Sequence, residues 1–559
     1  MSRFRQRFFP LCLYTAISLS YAWPLVNRFS THLAGDGFDM YVFQWDNWWI
    51  IHALRTGQNP HHTQMIFYPL GADLYFHSFS WLNTGVWWLL RNFVGNVAAY
   101  NFTVWWSWPL AGVGAYLLAL EVTNDRRAAL IAGLVYAFYP YHFAQRNHLN
   151  LLSIQWVPFS LVFLMRAVRR GRCRDGVLSG LFFALSGLAG WHLLTLSGML
   201  AALWLLHAWL TERSEWTRKN WQTLLALLVT LAMLTGPLIA PILREWFANP
   251  EGQDPYLGKE KETQTDLIAY VLPNLYHPLW GDLAAPVHRR FLRNKDHAVT
   301  LGYTPLLLVI YSVARRRKVK NRFWLIGLLC FIILALGPFP RINGTPYPWL
   351  PLPYRLVGWT PLVRSLRSPE RFNILVGLCL AMAAGEAVSD LTRRLPQSLR
   401  GKTVILLGSL ILLEYWAWPF PTTSPDIPPF YYRLAAEPGD FAVADLPITN
   451  DLSKLYMFYQ TVHGKPTVTG HVSRPPEGAY TFIEANAFLR AMWQKQPPAG
   501  DPTKSLHALL DTNVRRLILH TDRMSADLLE ATTTWIEQTS LYTPCYADSE
   551  TVVYCATLP

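Results

Sequence analysis

The sequence predicts a polytopic α-helical membrane protein, with about eleven transmembrane helices and a small C-terminal α/β domain. Three observations point there. Only 15% of the 559 residues are charged while 52% are hydrophobic, and about 25% charged residues ordinarily cover a water-facing surface. The charges collect in short runs between uncharged stretches about 20 residues long, which is the length that crosses the hydrocarbon. After Pro421 the long apolar stretches give way to short strand-like segments.

The net charge of +13 does not signal nucleic acid. Arg3-Arg5-Arg7, Arg169-Arg170-Arg172-Arg174, Arg315-Arg316-Arg317-Lys318 and Arg393-Arg394 each stand at the end of an apolar stretch, where cytoplasmic anchors of membrane helices belong.

The apolar stretches are residues 8–26, 98–122, 128–144, 149–167, 176–190, 192–210, 221–243, 301–314, 323–339, 372–390 and 403–420. With the basic N-terminus inside, every arginine-dense connection falls on one side, giving an N-in, C-out topology. The first stretch also has the basic start and apolar core of a signal peptide. No A-x-A precedes a cut and Trp23-Pro24 is a poor exit, so an uncleaved anchor is expected.

Three segments then lie outside: residues 27–97, 244–300 and 340–371. In the first, Gly35 and Gly37 mark a turn, and Asp39 is placed to cap a helix running to Arg55. Trp45, Trp48 and Trp49 suit that helix to the membrane interface. SWLNTGVWWLLRNFVG reads as a second interfacial or re-entrant segment, since Arg91 is costly at mid-bilayer. Residues 1–420 thus form the membrane region. Residues 421–559 form the α/β domain, with FAVADLPI, RRLILH and TVVYCA as strands and SADLLEATTTWIEQ as a helix. Of six cysteines only Cys545 and Cys555 share that domain, as a disulfide or as two thiols.

Polar candidates gather on the outer side. Asp36 and Asp39 come first: partial desolvation and mutual repulsion raise carboxylate pKa values toward those of a general base. The plain alternatives are a turn residue and an N-cap. Asp46 reads as a solvated face residue. YPYHFAQRNHLNLLSIQW places His142, Arg146 and His148 at a helix entrance with Gln155 deeper, a density of polar groups typical of a cavity lining. Arg364, Arg367 and Arg371 at the outer mouth of a span run against the positive-inside preference and suit a phosphate. His192 is a weaker cavity candidate. No Walker, paired-histidine, GxSxG or Rossmann motif appears.

This constellation resembles the GT-C superfamily of integral membrane glycosyltransferases. NHLNLLSIQWVPF, LRSPERF and MFYQTVHGKPTVTGHVSR are similar to segments of a bacterial branch near it. The resemblance implies a multi-pass protein of the cytoplasmic (inner) membrane with its site facing the periplasm or exterior. It further implies transfer, with inversion, of a sugar from a polyprenyl-phosphate donor to a glycan, lipid or protein acceptor. Asp36 or Asp39 would be the base, and Arg146, His148, Arg367 and Arg371 would hold the donor phosphate. His142, Gln155 and His192 would line the cavity. Better-known members carry an adjacent acidic pair where this loop has Asp-Gly-Phe-Asp. That departure leaves open which aspartate acts and whether a divalent cation participates. A transporter or lipid flippase is the alternative, given Gly236-Pro237 and Pro241 in one span, although no symmetric half accompanies them. A non-catalytic envelope-assembly protein is the third reading.

Overall fold

The computed structural model describes residues 3–212, 216–248, 263–291, 298–315, 322–358, 360, 363, 366, 368–476 and 478–557. The chain folds into two compact units. One comprises Met1–Gly35, Ser80–Ala240 and Tyr256–Thr423; the other comprises Asp36–Phe79, Pro241–Pro255 and Ser424–Pro559.

The first unit is helical, and each apolar stretch contains helix. Among the described residues, four helices are long and apolar enough to cross a membrane: Leu149–Arg170, Trp191–Thr211, Arg218–Ala248 and Pro369–Arg394. Phe8–Tyr21, Tyr303–Arg315 and Phe323–Ala335 are apolar and shorter.

Three stretches are less regular than their hydropathy predicts, and in 149–167 the helix is interrupted between Leu152 and Trp156. Residues 98–122 divide into the helices Asn96–Trp105 and Ser107–Thr123. The helix within 128–144 stops at Ala137, and Pro140 opens a separate turn, Pro140–Ala144. Proline biases its predecessor away from the helical region and is itself suited to a first helical position.

The helix Asn373–Arg394 is buried along most of its length and packs on Arg126–Ala137. Small residues permit the approach: a Cβ at Gly377 would stand 2.6 Å from Tyr139 Cδ1, and one at Gly385 3.2 Å from Ala132 Cβ. The helix Trp81–Val94 is too short to span and exposes Trp88, Leu89, Phe93 and Val94. Its Arg91 lies over Trp87 at 4.7 Å, an arrangement suited to an interface.

The second unit is α/β. Its sheet comprises β1 (Ala442–Leu446), β2 (Val514–His520), β3 (Tyr542–Ala547) and β4 (Thr551–Ala556), in the order β1-β2-β4-β3. β1 and β2 are parallel, with Asp445 opposite Ile518, and the other pairs are antiparallel. Leu446, Leu517, Leu519, Phe488, Trp535 and Tyr554 meet in its core. The helix Ala526–Ile536 begins at Ser525, whose hydroxyl accepts from the Leu528 N–H. Cys545 and Cys555 are joined as a disulfide across β3 and β4.

Residues 36–79, from the stretch read as an external loop, belong to this same unit. Their helix Asp39–Thr56 packs on Asn450–His463. Trp45 and Trp49 are fully buried rather than facing lipid. Trp45 Nε1 donates to Gln460 Oε1 at 2.6 Å, and Trp49 Nε1 to the Pro60 carbonyl at 2.9 Å. A buried indole N–H needs such a partner, and here the tertiary fold supplies it.

Candidate active site

Asp36 is exposed in the bend between Gly35 and Gly37. Asp39 is the first residue of its helix. The N-cap is Phe38 and no side chain caps that end, so the capping role weighed for Asp39 does not hold. Its carboxylate instead meets Lys454 Nζ at 2.8 Å, and the same ammonium contacts Asp451 at 3.0 Å. Burial disfavours the lysine's charge, but the two carboxylates more than offset this and hold its pKa above the ordinary value. A fixed cation therefore faces Asp39. His471 joins the cluster with Nδ1 2.7 Å from Asn450 Oδ1. Burial, and then the Lys454 charge, push its pKa down to about 3, so this imidazole is neutral at neutral pH.

Seven residues beyond Asp39, two turns along the helix, Asp46 is almost wholly buried beside His77. The Ser473 N–H donates to His77 Nδ1 at 3.0 Å. The ring proton is thereby placed on Nε2, which donates to Asp46 Oδ1 at 2.8 Å. Asp46 Oδ2 has no hydrogen-bond partner among the described residues, and burial raises the Asp46 pKa against the pull of His77. Asp46 is therefore not a solvated face residue; it is buried beside His77, which the Ser473 N–H holds in place. Lys454, His77 and His471 carry no recognisable local motif. The only available hint was that Lys454 and His471 flank or fall within the MFYQTVHGKPTVTGHVSR phrase.

The second constellation belongs to the helical unit. His142 is buried edge-on between Tyr136 and Tyr139, at 5.1 and 5.7 Å. Arg146 is 6% exposed, its guanidinium facing Phe143 at 5.0 Å and Tyr276 at 4.8 Å. His148 precedes the turn Leu149–Leu152, and its carbonyl accepts from the Leu151 and Leu152 N–H groups. The amides of Gln155 and Gln145 are fully buried and have no partner among the described residues. Buried amides are seldom left so, and they make this neighbourhood polar.

His192 is the second residue of Trp191–Glu212. Gly190, just before it, leaves no room for a Cβ against the Asn150 carbonyl, so this helix start closes on the same segment. Asn83 Nδ2 donates to Ser153 Oγ at 2.7 Å, and Ser80 Oγ to the Ala189 carbonyl at 2.6 Å, which completes the enclosure. Arg371 lies in the turn Pro369–Phe372 and donates Nη1 to the Leu366 carbonyl at 2.6 Å. Arg364 and Arg367 lie outside the described residues.

His142, Arg146, His148, Gln155 and His192 are thus gathered on one polypeptide neighbourhood, with Arg371 in the same unit. Asp36 and Asp39 belong to the other unit. Among the described residues no three His, Cys, Asp or Glu side chains form a metal-ligand set, and the Asp39 carboxylate is engaged by Lys454. The residues do not fit a divalent cation, and no step is drawn through one.

Solved structures are similar to this chain at low sequence identity. The arabinofuranosyltransferase AftD from Mycobacteria superimposes with a TM-score of 0.64 at 15% identity, over 100% of this chain and 40% of that one. ArnT from Cupriavidus metallidurans bound to undecaprenyl phosphate gives 0.49 at 12% identity, over 98% of each chain. The Archaeoglobus fulgidus oligosaccharyltransferase gives 0.48 at 15% identity, over 98% of this chain and 73% of that one. The chain spans about 40% of the AftD chain, and at 15% identity the likeness to it is one of fold alone. No curated protein matches the sequence. Residues 57–415 match the model of the family described as a domain of unknown function, DUF6311, and since the match takes in well over half of the chain, the protein belongs to that family.

Proposed function

We propose that the protein is a membrane glycosyltransferase that moves a sugar from a polyprenyl-phosphate donor to an acceptor hydroxyl, with inversion at the anomeric carbon. The observation that carries this reading is the Asp39 carboxylate, one-third exposed at a helix start and held at 2.8 Å by a lysine that remains charged. The fold shared with an arabinofuranosyltransferase supports the reaction class.

In the reaction the acceptor oxygen bonds to the anomeric carbon as the bond from that carbon to the phosphate oxygen breaks. The hydroxyl proton passes to Asp39, with Asp36 as the alternative base. The polyprenyl phosphate leaves with the bonding electron pair. A phosphate leaving group needs charge stabilisation rather than protonation. Arg146, a desolvated guanidinium beside aromatic faces, is the first choice for that role, with His148, Arg367 and Arg371 beside it in sequence logic. His142, Gln155 and His192 line the pocket, where the two unsatisfied glutamine amides offer hydrogen bonds to sugar hydroxyls.

The test is a transfer assay on the full chain in nanodiscs with a panel of polyprenyl-phosphate sugars. Asp39→Asn is expected to lose turnover by roughly 10²–10⁴-fold while still binding donor, and Asp36→Asn to lose much less. Equal turnover in both variants and the wild type, or no turnover with any donor, overturns the proposal.

A further inference from the structure

A cavity of about 370 Å³ lies among the ends of three helices of the helical unit, Ser107–Thr123, Tyr303–Arg315 and Asn373–Arg394. It has no part in the proposed transfer. Arg371 is at the other end of the Asn373–Arg394 helix, about 33 Å away at 1.5 Å per residue.

Its wall is built around charge. Arg394 grips Asp390 through Nε and Nη2 at 3.0 and 3.1 Å, and Tyr311 Oη donates to the same carboxylate at 2.8 Å. Asp390 is thereby fully occupied. Arg393 donates to the Thr123 carbonyl at 3.1 Å and Arg315 lies over the Tyr311 ring at 5.9 Å. Among the described residues neither of these two guanidiniums is paired with a carboxylate. Glu386 also lines the cavity. An adjoining recess shares Arg393 and adds Arg126 and Arg127 alongside Asp125. Five arginines therefore face three carboxylates across the two hollows.

A second, independent feature points to a ligand. Ser312 is 2% exposed and lines the cavity, yet its hydroxyl has no hydrogen-bond partner among the described residues. A buried hydroxyl beside guanidiniums is a ready donor to an anionic oxygen. The Tyr303–Arg315 helix also carries an outward apolar stripe. Leu307, Ile310 and Val313, three residues apart along the Tyr303–Arg315 helix, are all exposed. That stripe faces away from Ser312, so an occupant with its anionic head at Arg315 and Arg393, at the helix end, keeps its hydrocarbon outside the cavity. Basic pockets between membrane helices take anionic lipid head groups by this combination.

We propose that this cavity binds the phosphate head group of an anionic phospholipid from the leaflet that meets the arginine-rich helix ends. Arg315, Arg393 and Ser312 hold the phosphate, while the acyl chains stay in the surrounding bilayer.

The experiment uses the full chain, delipidated in neutral detergent. Native mass spectrometry and thermal melting are read with phosphatidylglycerol, phosphatidylcholine or inorganic phosphate added. Phosphatidylglycerol is expected to be retained and to raise the melting midpoint, and the other two are not. Arg393→Gln and Arg315→Gln should each weaken phosphatidylglycerol binding about tenfold, the loss of one charge-assisted hydrogen bond. Ser312→Ala, which leaves the fold's packing in place, should weaken it severalfold without changing the lipid-free melt. Arg169→Gln, at a different helix end, should bind as the wild type does. Equal retention of the two lipids, unchanged binding in all three cavity variants, or equal protection by inorganic phosphate overturns the proposal.

Discussion

The Asp46–His77 pair is where a single residue decides most. Both side chains are almost wholly buried, and the tautomer of His77 is set by the Ser473 N–H. Removing the histidine leaves the buried Asp46 carboxyl without its hydrogen-bond donor, at a cost of about 1–3 kcal/mol. His77→Phe is therefore expected to lower the melting midpoint of the purified protein sharply. Asp46→Asn, which keeps a hydrogen-bond acceptor facing Nε2, should cost about 1 kcal/mol. Equal effects of the two substitutions would show that shape rather than charge holds this contact. Asp36 and Asp39 were legible in the sequence because two glycines and an acidic spacing mark them. Lys454, His471 and the burial of Asp46 were not, because each depends on a chain segment hundreds of positions away.

Individual elements were well marked by hydropathy and poorly marked at their breaks. The strands within FAVADLPI, RRLILH and TVVYCA form over Ala442–Leu446, Val514–His520 and Thr551–Ala556. Tyr542–Ala547 did not stand out, since it contains Pro544 and most of its side chains are exposed, so no alternation of polar and apolar residues marks it. The division at Trp106 falls just before Ser107 and Pro109, a break that hydropathy averaged over a long stretch does not register. The Asn373–Arg394 helix carries an element-level prediction. Gly377→Val forces side-chain carbon into the Tyr139 ring, 2.6 Å from where a Cβ would sit, and overpacking of this kind costs about 1–3 kcal/mol. Gly236 in Arg218–Ala248 has nothing within 4 Å of its Cβ position, so Gly236→Ala should leave the detergent melting midpoint unchanged or higher. A Gly377→Val protein that melts with the wild type would show that the helix pair is loosely packed.

The molecule as a whole should respond to acid through its α/β unit. His463, 4% exposed against Tyr431, has its pKa pushed down to about 4, chiefly by burial. A histidine freed by unfolding titrates near 6.5. Between those values the unfolded chain binds the proton and the folded one does not. The stability of the neutral form is complete above about pH 6.5 and is lost as pH falls toward 4, by up to ~1.4 kcal/mol per pH unit. His471, lowered to about 3, acts in the same direction and continues to lower pH. Thermal melts from pH 7.5 to 4.5 should show the midpoint falling, with a shallower slope in His463→Gln. An identical slope in the variant would assign the acid sensitivity to other groups.

The sequence by itself determined the class of molecule, because hydrophobicity over 20 residues and charge at the ends of such stretches are local quantities that the bilayer reads directly. It also marked three of the four strands in the sheet of the α/β unit. The tertiary structure alone decided that residues 36–79 fold with residues 424–559, that Asp39 faces Lys454, and that the interfacial-looking tryptophans Trp45 and Trp49 are core. These are pairings between distant segments, fixed by which surfaces fit and which buried polar groups find partners. No period in the sequence encodes that matching.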